Sequence, residues 1–112
     1  MEWIVIECLA CPVTGTFFSS VITEDNNWLI LWLAEGALLQ PGDVIEIVDQ
    51  AMVARHKSEN RTVYMICAFK SAMWKKLQQS TFCQGKRAKL PEQCSENIYC
   101  SFSNCPYGLR KV

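Results

Sequence analysis

The sequence predicts a mainly β protein: a small barrel of about five strands, one short helix over residues 71–79 and an irregular Cys-rich tail. Three observations lead there. Apolar runs of strand length, rich in β-branched and aromatic residues, recur through the first two-thirds of the chain with turn residues between them. Only residues 71–79 change from a period of two to a helical period. The chain has 112 residues, half of them hydrophobic and a fifth charged, which suits one globular domain and argues against disorder.

The first strand is "EWIVIECLA", residues 2–10, bounded by Pro12. "TGTFFSSVIT" (14–23) and "WLILWLA" (28–34) flank the polar tip "EDNN" and read as a hairpin with a longer loop. The second arm is apolar at every position. Trp28, Ile30 and Trp32 face one way and Leu29, Leu31 and Leu33 the other, so both faces are expected to be covered. Pro41-Gly42 marks a turn, because Pro presets φ at one corner and Gly accepts positive φ at the next. "DVIEIVDQAMVA" (43–54) reads as one alternating strand, "RHKSEN" (55–60) as a polar tip and "RTVYMICAF" (61–69) as the returning strand. In "SAMWKKLQQ" (71–79), Ser71 is the expected N-cap; Met73, Trp74 and Leu77 lie on the inner side and Lys75, Lys76, Gln78 and Gln79 face water. Residues 1–80 therefore form the barrel domain with its helix, and 81–112 a basic Cys-rich tail packed on it or extending it.

The segment "VTGTFFSSVITEDNNWLILWL…LLQPGDVIEIV" resembles the opening strands of oligonucleotide/oligosaccharide-binding (OB) barrels, in which a long first strand, a hairpin and a strand opened by a "PGD"-type turn recur. The resemblance extends over residues 2–69 and implies a groove for single-stranded nucleic acid. OB barrels often carry a helix between strands three and four, and none fits between Val48 and Val63. An SH3-like barrel or an open sandwich accommodates the same strands.

The net charge of zero conceals an asymmetry. Residues 1–54 hold eight acids and no Lys or Arg, whereas residues 55–112 hold all eleven bases and three acids. Such polarity points to an anionic partner on the basic side or to attraction between the halves within one fold. From Lys70 to Lys89 there are six bases (Lys70, Lys75, Lys76, Lys86, Arg87 and Lys89) and no acid, with Tyr64 and Trp74 placed to stack bases. Arg55, Lys57 and Arg61, at or beside the 55–60 tip, extend the same nucleic-acid-binding surface. The competing reading makes Trp74 a core residue and the lysines a solvated helix face.

Seven cysteines invite a chemical role. Cys83, Cys94, Cys100 and Cys105 lie close enough in sequence for a tetrahedral Zn²⁺ site, which would order a tail short of apolar residues. Two disulfides or simple thiols are the alternatives. Cys8 and Cys11 form a CxxC without a basic neighbour or a helix start, so a redox role is not favoured. His56 has no local acid or nucleophile beside it, the glycines form no phosphate loop, and no DxDxDG run occurs, so an enzyme is not expected.

The leading expectation is a single-stranded nucleic-acid-binding module. The alternative is a protein-interaction subunit, or a small regulator or inhibitor, that acts through a Trp-rich apolar face containing Trp28 and Trp32 or associates as a homodimer. No run of 18 apolar residues is present, so no membrane span is expected. The acidic N-terminus does not read as a signal peptide, and the expected location is intracellular, in cytoplasm or nucleus.

Overall fold

Two three-stranded meanders, related by their connections, build the molecule. The first is β1 (Glu2–Cys11), β2 (Thr16–Ile22) and β3 (Trp28–Leu33); the second is β4 (Val44–Val48), β5 (Ala51–Ala54) and β6 (Asn60–Ala68). The computed structural model describes residues 2–36, 38–54, 60–81, 93–94, 100–103, 105–106 and 110–111. β3 pairs with β6 and β1 with β4, so the order β1-β2-β3-β6-β5-β4 closes into a barrel in which every neighbouring pair is antiparallel. This differs from the five-stranded Greek key of the OB barrel. The expectation of a small closed barrel with a short late helix holds; its sixth strand comes from the segment read as one strand over 43–54.

That segment folds back on itself. Asp49 and Gln50 have φ of 50° and 64°, and β4 and β5 pair tightly around them from Val48↔Ala51 to Ile45↔Ala54. Two central residues with positive φ make a type I′ hairpin turn, whose twist matches that of the strands it joins. Asp tolerates this conformation better than Gln does. Gln50→Gly should raise stability by about 0.5–1 kcal/mol, the relief of left-handed strain less the added freedom of the unfolded chain. The midpoint of urea unfolding measures it, and an unchanged or lower midpoint would count against strain at this turn.

The Pro41-Gly42 turn forms where expected. Gly42 has φ 92° and donates to the Val5 carbonyl at 2.8 Å, while Val5 N donates back to the Asp43 carbonyl at 2.9 Å. The crossover from β3 is thereby fastened to β1 just before β4 begins. A register shift between Val5 and Glu7 makes Ile6 the extra residue. Trp3 and Val5 before it, and Cys8 and Ala10 after it, all contribute to the inner core. Glu7 and Leu9 consequently stand on the outside of the barrel.

Phe17, Val21, Leu31, Leu33, Ile45 and Met52 fill the interior. Phe102, distant in sequence, joins them at 2% exposure, its ring 5.1 Å from that of Phe17. Ser101 ties this strap to the β1–β2 turn. Its N–H donates to the Pro12 carbonyl at 2.6 Å and its hydroxyl to the Val13 carbonyl at 2.8 Å. Ser103 N donates to Glu35 Oε1 at 2.7 Å.

A second, smaller core lies outside the barrel, where α1 (Ser71–Ser80) docks. Trp74 meets Leu9 and Ile30 there, with Phe18, Phe69, Cys67 and Leu77 around them. Lys70, not Ser71, occupies the N-cap position, and no side chain caps the helix start. β7 (Gln93–Cys94) and β8 (Arg110–Lys111) form a two-residue parallel pair. No described helix is long and apolar enough to cross a membrane.

Candidate functional site

Side chains directly opposite on paired strands share a face. The registers Val44↔Ile4, Ile4↔Ile22 and Ile22↔Trp28 therefore align four apolar residues across the outside of β4, β1, β2 and β3. Ile4 is 48% exposed and Trp28 45% exposed. Trp28 stacks flat on Phe69 at 3.9 Å, and Phe69 in turn leans on Trp74 at 6.0 Å. Acids border the β1–β4 end of this row: Glu2 lies opposite Glu46, and Glu24 Oε1 accepts from Glu2 N at 2.8 Å.

A second exposed apolar region runs along β6. Tyr64, Met65 and Ile66 are 52%, 42% and 44% exposed, and Met73 of α1, whose sulfur lies 4.0 Å from that of Cys67, is 36% exposed. Tyr64 is the extra residue where Trp32 pairs with Met65 and Leu33 with Val63. Its ring leans on Trp32 at 5.0 Å, and Trp32 lies parallel to Phe18 at 6.0 Å. Trp32 is half-buried, with its indole N–H donating to Thr16 Oγ1 at 2.8 Å. Of the two tryptophans expected at an interface, Trp28 is thus the more available.

The structure divides the expected nucleic-acid-binding residues. Tyr64, Lys70, Lys75 and Lys76 are exposed. Arg61 is buried at 3%, its guanidinium 5.0 Å above the Phe17 ring, because its position in β6 faces the barrel interior. Gly36 leaves the space that this group fills; a Cβ there would overlap the guanidinium. Trp74 is buried at 6%, with its indole N–H donating to Glu7 Oε2 at 3.0 Å, and Gln78 Nε2 donates to Glu7 Oε1 at 3.2 Å. Glu7 clamps the helix to β1, a role hidden in the sequence by the bulge that turns it outward. Arg55, Lys57, Lys86, Arg87 and Lys89 lie outside the described residues.

The thiols of Cys11, Cys67, Cys100 and Cys105 are free. Cys100 and Cys105 are half-buried, Cys94 is described only by its backbone in β7, and Cys83 lies outside the described residues. Among the described residues, no group of three His, Cys, Asp or Glu side chains gathers to hold a metal ion.

The model of the IraM/PmrD family matches residues 1–75, which contain the whole barrel and the start of α1. The chain belongs to the IraM/PmrD family. It is 32% identical over 112 residues to the anti-adapter protein IraM of Citrobacter koseri, covering 100% of this chain and 98% of that relative. It is 23% identical over 110 residues to the anti-adapter protein IraM of Klebsiella pneumoniae, covering 97% of this chain and 94% of the relative. The crystal structure of E. coli PmrD superposes with a TM-score of 0.62 at 14% identity, covering 73% of this chain and all of that one, a likeness of fold. The relatives are anti-adapter proteins, and this overturns the expectation of a nucleic-acid-binding module. They favour the alternative, a regulator that works through a protein partner. The family places the barrel with IraM and PmrD and not with the OB proteins that the strand rhythm resembled.

Proposed function

We propose that this protein is an anti-adapter: it binds an adapter protein and thereby opposes that adapter's action. The similarity to IraM of Citrobacter koseri along essentially the full length of both chains carries this reading. Exposed Trp28, Ile4, Tyr64, Met65 and Ile66 supply the apolar area that a protein interface needs. Such a role is regulatory and not catalytic. With such a partner we put it in the cytoplasm; the relatives are bacterial, and bacteria have no nucleus.

The test is direct titration of the purified protein with the adapter that the Citrobacter koseri relative opposes, followed by calorimetry. A saturable one-site isotherm with a negative heat-capacity change, the mark of apolar burial, is the expected outcome. No heat at micromolar concentrations, with the adapter shown to be folded, would reject the role.

A further inference from the structure

β6 is nine residues long and β5 only four, and the mismatch leaves half of β6 without a strand on one side among the described residues. β5 pairs with Asn60, Arg61 and Thr62, and Val63 N donates to the Gln50 carbonyl of the hairpin turn at 2.8 Å. Beyond that point β6 runs past the turn. From Tyr64 to Ala68 its far edge has no strand beside it among the described residues, while its near edge stays paired with β3. Exposed hydrophobic edges of this kind are hazards that folded proteins cover, twist away or charge. Here three consecutive apolar side chains, Tyr64, Met65 and Ile66, are each more than 40% exposed. A bulge at Tyr64 sits at the mouth of the edge, and bulges gather beside functional sites.

The charge around this edge has one sign at one end. Residues 60–81 contain no acid, and Lys70, Lys75 and Lys76 are exposed just past Ala68. At the other end, among the described residues, exposed Asp49 lies in the turn where β5 begins. A strand added here would gain backbone hydrogen bonds along 64–68, place alternate side chains against Met65 and Ile66, and meet cations at one end.

We propose that the Tyr64–Ala68 edge of β6 is the docking site for an extended apolar segment of the adapter, carried alongside β6 as an added strand, with acidic side chains at the end that meets Lys70. This rests on the anti-adapter reading and assigns its surface. The acid-bordered row through Ile4 and Trp28 offers apolar area but no unpaired backbone, so it lacks the directional half of such an interaction.

The experiment uses the full chain and the same adapter. Ile66→Lys places a charge on the edge at a position 44% exposed, and its thermal melt is recorded beside the wild type so that affinities are compared only between folded proteins. The expected result is binding weaker by at least about tenfold for Ile66→Lys, a smaller loss for Lys70→Glu that fades at high salt, and slowed hydrogen exchange of amides 64–68 in the wild-type complex. Wild-type binding with unaltered Ile66→Lys affinity and unprotected 64–68 amides overturns the edge assignment and leaves the anti-adapter role standing. Absence of wild-type binding removes the role and the assignment together. A wild-type dimer in analytical ultracentrifugation that Ile66→Lys dissociates, with adapter binding intact, gives the edge to a second copy of the chain and overturns the proposal.

Discussion

Phe102→Ala is expected to lower stability by about 3–5 kcal/mol, the cost of deleting an aromatic side chain from a packed core. Domains of this kind are stable by about 5–15 kcal/mol in total, so the loss is a large share. The reason is positional. Phe102 is 2% exposed and packs on Phe17, itself fully buried, at the end of the barrel where the β1–β2 turn and the start of the crossover meet. Its backbone neighbours hold it there through Pro12, Val13 and Glu35. Removal would leave Phe17 facing a void that a closed sheet cannot collapse to fill. Urea unfolding measures the effect, with an unchanged slope marking a loss of packing and not of cooperativity. Phe102→Leu, which keeps most of the volume, should cost about 1 kcal/mol. A loss under about 1 kcal/mol for Phe102→Ala would show that residues 100–103 do not complete the core in solution.

The elements most legible in the sequence were those fixed by local chemistry. Pro41-Gly42 forms its turn because the two residues have the dihedral preferences the turn requires, and the alternating Leu29, Leu31 and Leu33 reach the interior because strand period dictates it. The β4–β5 turn was hidden because Asp49-Gln50 adopts positive φ without glycine; tertiary pairing of Ile45 and Ile47 with the strand beyond overrides the weak local preference. Arg61 left its expected exposed surface, and Glu7 took a role that no sequence pattern announced, for a related reason. One extra residue at Ile6 reverses the parity of β1, sending Glu7 outward to the helix, while Arg61 follows the inward parity of β6 despite its charge. Charge composition could not show either, since it carries no information on which face a residue takes. The open edge of β6 did have a signal: once a two-residue turn is placed at 49–50, four residues of β5 cannot cover nine of β6. Phe102 had none, because its contact with Phe17 spans most of the chain.

Trp74→Ala should release α1 from the barrel without unfolding the barrel. The helix has ten residues, no side-chain cap at its start, no acid in its first turn and no base in its last. Isolated helices shorter than about 12–15 residues are marginal in water, so this one depends on docking. Trp74 supplies most of that docking, through Leu9, Ile30 and Phe69 and through the hydrogen bond to Glu7. Deleting a buried Trp costs about 3–5 kcal/mol where the structure cannot yield, but the helix can yield, and once it separates the penalty stops growing. The expected result is therefore a loss of helical circular dichroism and of exchange protection at amides 74–81, with β2 and β3 amides protected nearly as before. Glu7, half-exposed already, would return to water and add little to the cost. If Trp74 instead served an external ligand, its removal would leave the helix protected; protection retained through amides 74–81 would refute the docking role. Because Lys75 and Lys76 ride on α1, the same variant should also weaken adapter binding, by less than Ile66→Lys does, since it disperses the basic border of the β6 edge and leaves the edge itself in place.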